Sequence, residues 1–265
     1  RIKTENIIMQ MSEKLQHSKP NGMADAEWAA RLELAAAYRV FHFLGWTELI
    51  FNHITLRVPG PECHYLINPF GLNYEEVTAS NLVKVALDGQ IIGDSRWGIN
   101  RAGFVIHSAI HAHREDAHCV MHTHTTTGIA VACKRDGLRG DNFYSAIVVN
   151  DLAYHDFEGI TVHEDEQPRL VASLGAHHAM ILRNHGLLSV GASVATAFRR
   201  MWQLQRACDV QVMSDSMAGE SIVLTREIQQ ASGRATMSVG PATGMEQMMF
   251  DSILRRAGIA LDDLV

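Results

Sequence analysis

Residues 100–131 read NRAGFVIHSAIHAHREDAHCVMHTHTTTGIAV, and six histidines fall within the eighteen positions 107 to 124. The first half is apolar at Val105, Ile106, Ala109, Ile110 and Ala112. That is helical spacing, and it sets His107 and His111 four residues apart on one helix face. After the polar turn REDA (114–117), AHCVMHTH (117–124) reads as a short strand and TTTGIAVACK as a further helix. Strand residues at i and i+2 share a side, so His122 and His124 project together. Two such imidazoles can take adjacent vertices of a tetrahedral metal site, each nitrogen about 2.0–2.1 Å from the ion. A third ligand has to come from elsewhere. His185 is best placed, at the end of the buried strand HAMILRNHG (178–186), where Gly186 lets the chain turn beside it. Three histidines leave a coordination position open, the catalytic rather than the structural pattern. An H-x-H pair alone does not establish a metal site. His107 and His111 equally fit polar groups satisfied on a half-buried helix face, His113 and His118 flank a solvated turn, and the strand neighbours His177 and His178 face opposite ways.

Outward from this stretch the composition narrows the classes. Hydrophobic residues are 47% of 265 and charged residues 20%, which excludes a disordered or fibrous chain and fits one large α/β domain or two small ones. Lys plus Arg number 23 against 29 for Asp plus Glu, giving a net charge of −6 with no basic stripe, so nucleic acid is not an expected partner. No apolar run approaches the ~20 residues a bilayer span needs. Residues 1–14 are polar and amphipathic rather than leader-like. The expected location is therefore the cytoplasm, with no membrane partner. Cys63, Cys119, Cys133 and Cys208 are scattered without a CxxC and are expected as reduced thiols. HExxH, GxSxG, a strand-borne GxGxxG and GxxxxGK[ST] are all absent.

The remaining elements follow from period and punctuation. Residues 1–24 form an N-terminal arm ending in HSKPNG, and a helix starts at Asp25 and stops at Gly45. FNHITLRV (51–58), CHYLIN (63–68) and SAIVVN (145–150) read as strands, and LVKVALDGQIIG (82–93) as strand, turn, strand. A long helix covers 193–215, and helical segments at 224–232 and 244–257 close the chain. The expected division is a domain over 25–217 with a C-terminal helical extension over 218–265.

The quoted run, preceded by FNHITLRV and LINPFGLNYEEV (66–77) and followed by AMILRNHGLLSVG (179–191), resembles the class II aldolase/adducin family over roughly residues 26–217. The resemblance implies an α/β fold: a three-layer α/β/α sandwich around a mostly antiparallel central sheet. It also implies a homotetramer with sites between subunits. In metal-dependent members such as fuculose phosphate aldolase, the H-x-H pair and the later N-H-G histidine bind Zn²⁺, which corresponds here to His122, His124 and His185. Three imidazoles suit Zn²⁺ and also admit Mn²⁺, Fe²⁺, Co²⁺ or Ni²⁺.

The departures bear on the reaction. The phosphate-sugar aldolases carry a Ser-Ser-Glu segment whose glutamate is the acid/base; the corresponding residues here are Arg101, Ala102 and Gly103. Their Thr-Pro-Ser/Thr-Gly loop reads Asn68-Pro69-Phe70-Gly71. A phosphate needs several converging donors, so a non-phosphorylated substrate is expected. The resemblance then implies a divalent-metal lyase, cleaving a small hydroxy- or keto-carboxylate by retro-aldol reaction or decarboxylation through a metal-stabilised enolate. Asn52, Asn68, Gly71 and Arg101 are the substrate-binding candidates, with Arg101 suited to a carboxylate but equally readable as a surface ion pair. His107 and Tyr144 are the proton-transfer candidates. LAYHDFEGI (152–160), ILRNHGLLSVG (181–191) and ACDVQVM (207–213) are more similar to an adducin head. They imply the alternative, a non-catalytic metal-binding assembly module of the kind that serves the actin–spectrin cytoskeleton.

Overall fold

The computed structural model describes the backbone of residues 13–265 and their side chains except those of 237–242. Residues 1–12, half of the expected N-terminal arm, lie outside the described residues. Helix α1 (Glu13–Ser18) lies on the body of the protein: its Leu15 is buried, and the Leu15 carbonyl accepts from Trp28 Nε1 at 3.0 Å. Helix α2 (Asp25–Leu44) is buried nearly all round, with Trp28 and Leu32 on one side and Leu34 and Phe41 on the other, and ends at Gly45, whose φ of 70° makes the left-handed stop.

Seven strands form one sheet, in the order β3-β2-β1-β4-β7-β6-β5, comprising β1 (His53–Arg57), β2 (Tyr65–Ile67), β3 (Val83–Val85), β4 (Cys119–Thr123), β5 (Leu152–His155), β6 (Ala179–Leu182) and β7 (Gly186–Gly191). Every pairing is antiparallel except β5 with β6. Helices α3 (Arg101–His113), α4 (Thr126–Ala132), α5 (Phe143–Val148), α6 (Gln167–Leu174), α7 (Val194–Ser216), α8 (Arg226–Thr243) and α9 (Met245–Ala257) complete the molecule. The strands sort their side chains by period two. Ile54, Leu56, Cys119 and Met121 join the core under α2 and α7, while Val120, Met180, Leu188 and Val190 pack under α3 and α6. That is the expected three-layer arrangement around a mostly antiparallel sheet. No described helix is long and apolar enough to cross a membrane.

Three local expectations are corrected. SAIVVN is not a strand: Asn142 accepts from the amides of Tyr144 and Ser145, and Ser145 Oγ accepts from the Asn142 amide, a capping box that starts α5. The apolar β-branched run is then spent packing that helix on α7 rather than pairing in the sheet. The return leg after the turn at Gly89 makes only an isolated bridge, Val85 to Ile91, before the chain leaves at Gly93. The segment placed at 224–232 continues as α8 to Thr243, and α6 was not foreseen. The closing helices are integral to the packing: Phe250 and Ile253 are buried, and Glu246 binds Arg199 at 3.0 Å and Thr196 Oγ1 at 2.6 Å.

Candidate metal centre

His122 sits near the end of β4 and His124 just beyond it, while His185 sits in the β6–β7 turn that the β4–β7 pairing lays alongside. One ring nitrogen of each lies within 4.8 Å of the others. His122 Nε2 and His124 Nε2 are 2.7 Å apart, and the His185 ring centroid is 4.8 and 4.9 Å from the other two. Tetrahedral ligands at zinc distances stand about 3.3 Å apart, so taking an ion asks the pair to open by a fraction of an ångström.

Hydrogen bonding prepares the donors. His122 Nδ1 lies 2.9 Å from the Leu187 carbonyl, which only accepts, so Nδ1 carries the proton and Nε2 presents its lone pair. Burial is the largest influence on all three rings. It pushes His122 well below the usual imidazole range, His185 down to about 4 and His124 downward, the last opposed by the charge of Glu48. All three are thus held in the neutral form that ligates a metal.

The turn is made differently from expectation. Asn184, not Gly186, supplies the left-handed residue, with φ 56°. Gly186 is required for close approach: a Cβ there would stand 2.3 Å from the Thr123 carbonyl oxygen, 3.1 Å from the His124 ring and 3.2 Å from the His122 ring. A glycine at that point is what lets the start of β7 press against the end of β4 and the His122 and His124 rings.

The other expected residues do not all gather here. His107 is fully buried behind the site, 2.9 Å from His53 Nδ1 and 2.7 Å from Thr55 Oγ1, and does not itself join the triad. Asn68 is engaged in the core, its Oδ1 accepting from Tyr38 Oη at 2.9 Å. Asn52 is buried and donates to the Trp46 carbonyl, but its Oδ1 has no partner. Gly71 is exposed with φ 104°, in the turn carrying Phe70. Arg101, at the solvent-facing start of α3, pairs with Glu164 at 2.5 Å. Tyr144 lies on α5, half-buried, with the Arg206 guanidinium over its ring. Sequence reasoning missed His53 and Thr55, the polar face of FNHITLRV. His53 is the direct cross-strand partner of His122, with ring centroids 5.0 Å apart. It also missed Phe157, half exposed and 6.2 Å from the His185 ring.

At Gly103 an added Cβ would stand 2.7 and 2.8 Å from two carbons of the His53 ring. The space beside that helix position is filled from the neighbouring strand.

The family model of the Class II Aldolase and Adducin N-terminal domain matches residues 32–212. Alpha-adducin of Mus musculus is 48% identical over 71% of this chain and 26% of its own length. An aldolase II superfamily protein of Pseudomonas syringae superposes with a TM-score of 0.83 at 43% identity, covering 89% of this chain and 94% of its own. The L-fuculose 1-phosphate aldolase of Glaciozyma antarctica PI12 gives 0.77 at 28% identity, covering 93% and 98%. With a matched domain over most of its length, a sheet that superposes on these structures and a histidine triad at the edge of β4, the chain belongs to the class II aldolase and adducin N-terminal domain family.

Proposed function

We propose that the chain is a divalent-metal-dependent carbon–carbon lyase that cleaves a small, non-phosphorylated hydroxy- or keto-carboxylate by retro-aldol reaction or decarboxylation. The observation that carries this reading is the convergence of three neutral imidazoles on one point. A divalent ion held there keeps coordination positions open and supplies Lewis-acid stabilisation of charge developing on a carbonyl oxygen. Zinc suits the donor set, and Mn²⁺, Fe²⁺, Co²⁺ or Ni²⁺ are compatible with it.

The chain's own residues favour a carboxylate over a phosphate. The amides at the start of α3 are the donors that commonly hold a phosphate, and Asn100 Oδ1 already accepts from Ala102 at 3.0 Å and Gly103 at 3.4 Å. Arg101 is held by an exposed pair worth about 0–1 kcal/mol, which a substrate carboxylate can displace to gain a bidentate guanidinium contact. Action in the cytoplasm as a homotetramer, with Tyr144 reaching a neighbouring copy's site, completes the reading.

The test is metal analysis of the purified chain reconstituted with each candidate ion, followed by a screen of hydroxy- and keto-acids for CO₂ against aldehyde release. One ion per chain, lost with activity in His122→Ala, is expected. Far less than one ion per chain, with His122→Ala no different, would overturn it. The 48% identity to an alpha-adducin favours a second reading, a metal-binding assembly module. It becomes the better account if metal binds but no such acid raises the melting temperature.

A further inference from the structure

We infer that a chain of hydrogen bonds rooted at the Ala117 carbonyl fixes the tautomer of His53, leaving its Nε2 as a bare acceptor beside the triad, and that this imidazole accepts a hydrogen bond from whatever hydroxyl or water the site holds. The first half stands on the hydrogen bonds and on the burial of the rings that make them; the second rests on the proposed function.

The roles along the chain are forced one after another. His111 Nδ1 lies 3.0 Å from the Ala117 carbonyl oxygen, which has no proton to give, so Nδ1 donates. Burial holds the His111 ring down to about 3, so it is neutral and its Nε2 must accept. The only hydroxyl proton of Thr55, 2.8 Å away, is therefore given to His111 Nε2. Thr55 Oγ1 must in turn accept from His107 Nδ1 at 2.7 Å. His107 is fully buried with no carboxylate beside it among the described residues to support a charge, so its Nε2 carries no proton and accepts from His53 Nδ1 at 2.9 Å. His53 is buried as well, with no carboxylate beside it among the described residues, so it too is neutral, and what remains on it is an unprotonated Nε2. Among the described residues that atom has no hydrogen-bond partner, and it is not among the partnerless polar atoms sealed from solvent.

Position gives the lone pair its purpose. His53 and His122 are opposite each other across β1 and β4, on the face that looks to α3. Gly103 leaves the room into which the His53 ring is set, and His53 Nε2 comes within 3.1 Å of the position a Cβ there would take. Thr55, His107 and His111 act through His53 and are positioning residues. The pair of polar positions on β1, 53 and 55, and the pair on α3, 107 and 111, thus interleave into one relay of fixed polarity that ends at the triad.

The test is ¹⁵N–¹H NMR of the full chain labelled at histidine, zinc-free and zinc-loaded, with His53 assigned by the peaks missing in His53→Gln. Expected is a protonated Nδ1 and an unprotonated Nε2 on His53 in both states, with the Nε2 resonance shifting on zinc loading. Thr55→Val cuts the chain, and both His53 nitrogens then move toward the tautomer average, whereas Thr55→Ser retains the native pattern. His53→Gln keeps the zinc stoichiometry of the parent. A protonated Nε2 in the parent overturns the inference, as does a Thr55→Val variant with the native His53 pattern. So does loss of zinc in His53→Gln, which would make His53 a ligand, or an Nε2 resonance that zinc leaves unmoved. If Thr55→Val does not fold, the parent spectrum and Thr55→Ser still decide the tautomer. A chain that takes up no zinc sinks the proposed function, while the zinc-free spectrum still tests the relay.

Discussion

At the scale of single residues, the two informative glycines act through what they leave room for. Gly103 faces an aromatic ring that has little freedom, because both the ring's sheet neighbour and its hydrogen bond to His107 hold it. Gly103→Ala is expected to cost about 1–3 kcal/mol by overpacking, read as a lowered urea midpoint. Gly186→Ala meets backbone rather than side chain, at 2.3 Å, so it is expected to cost more than Gly103→Ala and to abolish metal binding. The contact at 103 also orders any substitutions there. Gly103→Glu in the parent is expected to destabilise strongly, and the same change after His53→Val to be tolerated, a pair of melting curves that separates steric exclusion from loss of the glycine itself.

At the scale of elements, the β4 strand and the α3 helix were readable because their periods are clean, and the metal-ligand pair followed from the period of the strand. His185 was readable from its place at the end of a buried run. His53 was not, since a lone histidine in an alternating strand looks the same whether it faces water or the buried underside of α3, and only the pairing with β4 reveals which. SAIVVN failed for a different reason: its β-branched composition outweighed a local signal, Asn142, that fixes the helix start. Asn142→Ala is expected to cost about 1 kcal/mol of stability, measured by thermal denaturation. The closing helices read as an extension because nothing in their own sequence names the partner. That partner is Arg199, and the Arg199–Glu246 pair is buried on both sides, with side-chain exposures of 8% and 7%. Glu246→Ala leaves a buried guanidinium uncompensated and is expected to cost about 3–5 kcal/mol, with Arg199→Met/Glu246→Leu recovering most of it.

At the scale of the whole molecule, the buried histidines make the metal-free protein acid-sensitive. An unfolded-chain imidazole titrates near 6.5, whereas burial holds His111 down to about 3 in the fold. Between those values the unfolded chain binds more protons, so stability falls as pH drops below about 6.5, by up to about 1.4 kcal/mol per unit for each such histidine. Urea midpoints of the metal-free chain are expected to fall steeply from pH 6.5 to 5, and a flat profile would contradict this. The triad has a mechanical side as well. All four cysteines are free, so no disulfide ties the chain to itself. An ion shared by His122, His124 and His185 would knot β4 to a turn about 60 residues further on and close that loop, with the loss of unfolded-chain freedom that a long cross-link brings. Hydrogen exchange should slow on metal loading in β4, β6 and β7 and stay unchanged at the β2–β3 edge, giving one continuous sheet a stapled half and a free one.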